Sequence, residues 1–314
     1  MGLRRVVLLC QWITVHSCAA LASFDFLPAT EPSIVIDLRS RADFKSRHLT
    51  GSASLPANEL RERMFELPPP QEWPLTLIGS TADLAAAREV LHPRGWRFEE
   101  RDTCEPSFWC DQYAAAGESE LQTWRPNAFL AHVVRELKHT AEGGLALDIG
   151  CGSGRDAVFL AQELGDNWDV VGIDNHVAAL DRARALAASC GDAATASFEA
   201  VDVRKESLDE LVASRPVRFV HGCRFLDRAL LATLPTTIAP GGIFVWSTFM
   251  NGDSPAQAPP FRPSRRLDRG ELRGLLGADA GFEVLADVEG RLLTRNVWET
   301  AQFYAARRMP KVDA

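Results

Sequence analysis

LALDIGCGSG, residues 145–154, reads as a buried strand running into a glycine turn and then a helix. Small and apolar residues fill the strand, and Asp148 stands near its C-terminal end. Gly150, Gly152 and Gly154 then alternate up to the start of RDAVFLAQEL. Glycine lets the chain turn sharply and lets a ligand approach the backbone with no Cβ in the way. The first N–H groups of the following helix have no partner within it and point into the turn. The stretch is therefore a cofactor-binding strand–turn–helix.

The spacing excludes a dinucleotide fingerprint. G-x-G-x-x-G needs a third small residue for close helix–strand packing, and that slot holds Arg155. What stands instead is D-x-G-x-G-x-G. An acid ahead of the glycines repels a pyrophosphate and suits a cationic ligand, such as the ammonium of a methionine moiety. The motif resembles motif I of the class I S-adenosylmethionine (SAM) methyltransferases, and later motifs follow in that family's order.

WDVVGIDN is an apolar run ending in Asp174, twenty residues past Gly154. An acid at the tip of a second strand is where a doubly wound fold holds ribose hydroxyls. VAALDRARALAAS has helical apolar spacing at Val177, Leu180, Ala183 and Leu186. ASFEAVDVR reads as a third strand ending in Asp202, VRFVHGCRFLDR as a fourth, and PGGIFVWSTF as a fifth announced by the turn Pro240-Gly241-Gly242. Alternating strands and helices imply a mostly parallel sheet covered on both faces. FEVLADVEGR and VWETAQFYAAR read as a closing antiparallel hairpin, as in the family, which implies a Rossmann-like, seven-stranded domain over 125–309. The resemblance also implies a cofactor-binding set of Asp148, Gly150, Cys151, Gly152, Gly154, Asp174, Asn175, Asp202 and Val203, with Asp202 at the adenine amino group.

CRFLDRALLATLPTTIAPGGIFVWSTF, with GRDAVFLA before it and LDRGELRGLL after it, resembles the tellurite-resistance-type, small-molecule methyltransferases. That subgroup has an R-Y-L-H-R-like element after its fourth strand. Here the element is Arg224-Phe225-Leu226-Asp227-Arg228, without the aromatic hydroxyl and the His. There is no [ND]-P-P-[YF] clamp for base amines or glutamine amides. The formal net charge is −8 and no Lys/Arg cluster stands out, which disfavours a phosphate backbone as partner. A small methyl acceptor is expected over the C-terminal strand ends, where Arg155, His221, Arg224 and Arg228 can attract an anion. The sequence nominates no catalytic base and no metal site.

IVIDLRSRADFKSRHLTGSASLP, residues 34–56, resembles the rhodanese domain through Asp37, Arg39, Asp43, Phe44, His48, Leu49, Gly51 and Ala53. Asp37 and Arg39 are placed to pair at a strand end, and His48 to be held by backbone groups. WITVHSCAALASF fits a first strand and helix of that α/β fold, and PLTLIG, DLAAAREVL and WRFEE fit its later unit. Rhodanese chemistry needs one cysteine in the loop after the PLTLI-type strand, where N–H groups cradle a persulfide. That loop reads Ile78-Gly79-Ser80-Thr81-Ala82-Asp83, with no Cys and with an acid. The expected organisation is a catalytically inactive rhodanese-like domain over 1–103, a linker or docking segment over 104–124, and the methyltransferase domain beyond. The first domain is then left for packing, substrate delivery or a protein partner.

A chain of 314 residues, 46% apolar and 24% charged, accommodates two folded domains. NGDSPAQAPPFRPSRR is a long proline-rich connection, of the kind used as a lid, binding loop or linker. The seven cysteines, at 10, 18, 104, 110, 151, 190 and 223, are odd in number and contain no C-x-x-C pair. Neither a disulfide framework nor zinc is indicated. No apolar run reaches membrane-spanning length. The first 22 residues have targeting-peptide character, but cleavage there would remove rhodanese-like elements. A retained N-terminus and a cytoplasmic protein are expected, with an organelle as the other outcome. Two further functions compete with methyl transfer: a SAM-binding adaptor without turnover, and a sulfurtransferase.

Overall fold

The structure, a computed structural model, describes residues 33–68, 70, 74–104, 114–117, 122–137, 142–191, 196–213, 215–253, 255–257, 262–294 and 297–310. The expected leader, the strand and helix in WITVHSCAALASF, and Cys10, Cys18 and Cys110 lie outside these residues, as do parts of 104–124 and of the proline-rich connection. The chain divides into two compact units, one spanning Leu27–Arg125 and one holding Pro126–Ala314.

In the first unit the described elements are β1 (Ile34–Asp37), α1 (Arg41–Ser46), β2 (His48–Leu49), β3 (Ser52–Ser54), α2 (Leu60–Arg63), β4 (Leu75–Gly79), α3 (Thr81–Leu91), β5 (Phe98–Asp102) and β6 (Ala114–Ala115). Four strands form a parallel sheet in the order β3-β1-β4-β5. Ile36, Leu38, Leu55 and Leu77 meet Ala87 and Leu91 of α3 in its core. At the end of β1 the buried Asp37 takes a two-pronged ion pair from Arg39, at 3.0 and 2.6 Å, and the same guanidinium reaches the Arg47 carbonyl. His48 stacks on Phe44 and bonds its carbonyl through Nδ1 at 2.9 Å. From the segment expected to link or dock, β6 pairs with β2, and Gly117 N–H donates to the Lys45 carbonyl.

The second unit contains α4 (Ala128–Leu137), β7 (Leu145–Ile149), α5 (Arg155–Leu164), β8 (Asp169–Asp174), α6 (Val177–Ser189), β9 (Ala196–Ala200), α7 (Asp209–Val212), β10 (Val217–Cys223), α8 (Arg228–Thr237), β11 (Ile238–Phe249), α9 (Glu271–Leu276), β12 (Phe282–Thr294) and β13 (Val297–Arg308). The sheet order is β12-β13-β11-β10-β7-β8-β9. The five strands from β11 to β9 are parallel, and β13 and β12 close one side antiparallel. Strand β7 is buried at every position, as a strand covered on both faces should be. Leu147 and Ile149 join Val220, Phe244, Trp246 and Tyr304 in the core of one face. Each such buried large side chain contributes about 1.5–3 kcal/mol.

Pro240-Gly241-Gly242, read as the turn before the fifth strand, lies inside β11 as a bulge. Val217 pairs with Ile238 and Phe219 with Ile243, so the loop-like residues are accommodated by a shift in register rather than by ending the strand. Consecutive strands β7, β8 and β9 step outward to one side of the sheet while β10 and β11 step to the other. The strand order therefore reverses between β7 and β10, and a crevice opens at their C-terminal ends, where ligands bind in open α/β sheets.

Candidate functional site

A cleft of about 280 Å³ lies at that reversal. Its walls come from four successive strand ends: Ile149 and Gly150 after β7, Ile173, Asp174 and Asn175 at β8, Val201 to Arg204 after β9, and Cys223, Arg224 and Phe225 after β10. Apolar Ile173, Val201, Val203 and Phe225 thus stand beside two acids and two guanidinium groups.

The glycine turn is held by its neighbour strand. Gly150 and Cys151 donate their N–H groups to the Ile173 carbonyl at 2.8 and 3.0 Å, and Gly152 N–H donates to Asp174 Oδ2 at 3.0 Å. Asp174 Oδ1 accepts from His176 N–H at 2.9 Å. Each carboxylate oxygen has further lone pairs, so the strand tip can still accept from hydroxyl groups. Gly154 has φ +78°, and a Cβ there would stand 2.7 Å from the Ala183 Cβ and 2.8 Å from the Phe198 ring. Gly152 has φ +56° and no atom within 4 Å of where a Cβ would be. Gly150 is covered by Phe225, whose ring would lie 2.7 Å from an added Cβ. Asp202 holds the next strand tip, where the Lys205 ammonium at 3.0 Å and the Arg204 backbone N–H keep its carboxyl below the ordinary range.

Asp148 and His221 do not line this cleft. They are register partners on β7 and β10, and His221 Nδ1 lies 2.9 Å from Asp148 Oδ1 with both side chains buried. Asp156, on the first turn of α5, approaches the same imidazole at 4.0 Å. Burial pushes the Asp148 carboxyl up, against the hydrogen bond and charge of His221. Burial works against the His221 imidazolium, but the Asp148 hydrogen bond and the charges of Asp148 and Asp156 outweigh it and raise the group.

Of the four residues expected to draw an anion, Arg224 alone is on the cleft wall, and it is the one described non-glycine residue with positive φ, at 57°. The expectation for Arg228 is revised. Its guanidinium is committed to Glu271 at 2.6 and 2.9 Å and to the Ser264 and Arg266 carbonyls, so it clamps α8 to the segment before α9. His221 is buried against Asp148, and Arg155 opens α5 away from the lining. Cys151 is half-buried, its Sγ against Gly172.

Sequence reasoning missed Arg204, Phe225 and Asn127. Arg204 lines the cleft and pairs with Asp227 at 3.4 Å. Asn127 caps α4 by accepting from Leu130 N–H, and its side-chain amide reaches Cys223 Sγ at 3.2 Å and Ser247 Oγ at 3.1 Å. The Pro-Asn pair ahead of an apolar helix signals the cap, but no local signal reports partners a hundred residues away. Burial, with the nearby acids Asp148 and Asp174, raises the Cys151 thiol, and burial pushes Cys223 up to about 11. Both stay thiols near neutrality. Among the described residues no cluster of His, Cys, Asp or Glu could hold a metal ion, and no helix is long and apolar enough to cross a membrane.

Residues 141–257 match the family model of a methyltransferase domain. The chain is 24% identical over 302 residues to the uncharacterized protein UNK4.09 of Schizosaccharomyces pombe, an alignment covering 81% of this chain and 88% of that protein. Among solved structures, TehB from Haemophilus influenzae is similar at 18% identity and TM-score 0.43, over 56% of this chain and 61% of TehB. A SAM-dependent methyltransferase from Methanosarcina mazei is similar at 20% identity and TM-score 0.42, over 55% of this chain and 97% of that one. The matched domain holds the glycine turn and all four strand ends that wall the cleft.

Proposed function

We propose that the cleft takes SAM and that the chain passes its methyl group to a small molecule carrying a thiol, a chalcogen oxyanion or a comparable nucleophile. Residues 141–257 match a methyltransferase-domain model; SAM as the donor, the acceptor class and the residue roles are our reading. One observation carries it. Asp174 and Asp202, acids at two consecutive strand tips, share a single cleft with Gly150 and an apolar wall at the point where the strand order reverses.

The residues fit the donor. Asp174 has acceptor capacity for ribose hydroxyls beyond the two N–H groups it already receives. Asp202, with Val203 beside it, faces the adenine, and Ile173, Val201 and Val203 offer the apolar walls a base requires. Asn175 sits next to Asp174 on the ribose side. Gly150, Cys151, Gly152 and Gly154 shape the methionine end. Asp148 acts from below, where its Oδ2 is a buried acceptor without a hydrogen-bond partner among the described residues. Bound there, SAM supplies a methyl group already activated by the sulfonium.

The protein's task is then to hold two reactants in line and keep water out. Arg224 at the β10 end and Arg204 at the β9 end suit an anionic acceptor, and the cleft volume suits a small one. Cys223, kept a thiol by burial, takes no nucleophilic part.

We read the first unit as a rhodanese-like module without sulfur transfer. The Asp37–Arg39 pair and the parallel sheet support the likeness. Asp83 accepts the Ser80 N–H and hydroxyl at 3.0 and 2.7 Å, taking a donor that a persulfide would use. The described stretch 114–117 of the segment between the units is read as docking on that module, through its pairing with β2 and the Gly117–Lys45 bond.

Calorimetry of the full chain with SAM, followed by transfer of labelled methyl to thiols, selenite, tellurite and a metabolite pool, tests this function. Binding with turnover on one of these supports it. Tight binding with no turnover on any of them would favour a SAM-responsive adaptor, and no binding would remove the proposal altogether.

A further inference from the structure

The acid of the glycine motif is not itself on the cleft wall; its Oδ1 is held by a buried histidine. Asp148 and His221 face each other across the β7–β10 pairing. Ile149 and Gly150, at and just past the end of β7, and Cys223 and Arg224, at and just past the end of β10, are cleft walls. The pair thus sits directly beneath the crevice and joins its two flanking strands. Asp156, on the first turn of α5, stands 4.0 Å from the same imidazole, so the pair also faces α5.

Two apolar side chains would fill this space at a lower desolvation cost than a buried charged pair. The polar pair contributes direction instead. A hydrogen bond fixes the relative height of two strand ends to a few tenths of an ångström, which apolar packing does not. We infer that His221 is a positioning residue for the donor cleft: by donating its Nδ1–H to Asp148 it locks the ends of β7 and β10 where they form two of the cleft's walls. This rests on the donor reading proposed above.

The groups that face His221 are Asp148 from β7 and Asp156 from α5, both acidic, while its β11 register partner is the apolar Val245. Asp156 is itself oriented by the Asn127 N–H at 2.6 Å. The surrounding acids hold the imidazole proton to higher pH than usual. The charge-assisted bond is strongest between the two raised values: it weakens as pH rises through that of His221 and as pH falls through that of Asp148.

Donor binding is measured by calorimetry from about pH 6 to about pH 10, a range that spans any raised imidazole value. Three full-length chains are compared: wild type, His221→Leu and His221→Asn. Asparagine places an amide donor near the Nδ1 position and cannot titrate. His221→Leu is expected to weaken SAM binding about ten- to a hundredfold, the usual effect of leaving a buried carboxylate unpaired. His221→Asn should restore affinity to within about threefold of wild type. Taking the ratio of the wild-type and His221→Asn profiles cancels the donor's own titration. That ratio should show a wild-type advantage of up to about threefold that disappears on the alkaline side, where the neutral imidazole keeps its Nδ1–H but loses the charge that strengthens the bond.

A readout without donor accompanies this. The His221 ring, followed by NMR, should titrate above the ordinary value of about 6.5, and below its wild-type value in Asp148→Asn. If His221→Leu binds SAM as wild type does, or if the ratio is flat, the inference fails while the donor reading stands. If wild type does not bind SAM, both fall.

Discussion

Each unit hands a parallel strand to a helix through a turn that contains glycine, and the two turns are closed by acids of different origin. After β4, the turn Gly79-Ser80-Thr81-Ala82 is closed by Asp83 from within. Ser80 caps α3, Asp83 N–H donates to the Ser80 hydroxyl, and the Asp83 carboxylate takes the Ser80 N–H. After β7, the turn at Gly150–Gly154 is closed from outside, by Ile173 and Asp174 of the neighbouring strand. A local acid satisfies its turn and fills it. An acid 22 residues away does the same for one N–H while its carboxylate remains on a cleft wall. The first arrangement makes a helix cap and the second leaves an open cleft, the second turn also needing three left-handed glycines that the first lacks.

The largest expected effect is on the outer-closed turn's packing. Gly154→Ala should cost about 2–4 kcal/mol of the second unit's stability, combining a left-handed backbone with a Cβ forced against Ala183 and Phe198. Denaturant unfolding followed by tryptophan fluorescence measures it. A loss under about 0.5 kcal/mol, the size of an ordinary surface change, would show the turn to be softer than the contacts imply.

Asp174→Ala should weaken SAM binding by about 1–3 kcal/mol, as expected for removing a charged hydrogen-bond partner. Stability should fall less, because Gly152 N–H is near the surface and can turn to water. Equal SAM affinity in this variant would detach the strand tip from the donor. Gly152→Ala separates the two effects further. Its left-handed φ costs about 1–2 kcal/mol, but the added Cβ meets nothing in the protein. Donor affinity should drop by more than stability does if the methionine end lies on the turn. An affinity that stays level would confine the donor to the cleft proper.

What the sequence made legible follows the same division between local and remote. The run LALDIGCGSG announces strand, turn and helix because glycine spacing and apolar periodicity are properties of adjacent residues. The S-x-x-D cap at Ser80 and Asp83 is equally local, and so is the acid that ends the second strand; the third strand stops at Ala200, two residues short of Asp202. The orientation of Asp148 was not legible. Read alone, an acid before the glycines suits a ligand's ammonium, but its partner His221 is 73 residues on and meets it only because β7 and β10 pair in that register. Arg228 misled for the same reason, since Glu271 lies 43 residues further along. Phe225 covers Gly150 through a chain reversal at Arg224, a left-handed conformation that no sequence signal gives for arginine.

The smallest effect is the most discriminating. Asp83→Ala removes the carboxylate that closes the first turn, and the cap of α3 should lose about 1 kcal/mol. Hydrogen exchange at residues 80–84 measures the loss where it occurs, and SAM affinity measured on the same chain should not change. The first turn would then be a structural cap whose binding capacity is occupied by its own side chain. Should SAM affinity fall along with the cap, Asp83 would be acting on the donor site as well as closing its own turn, and the distinction between a locally filled and a remotely closed turn would not hold for this protein.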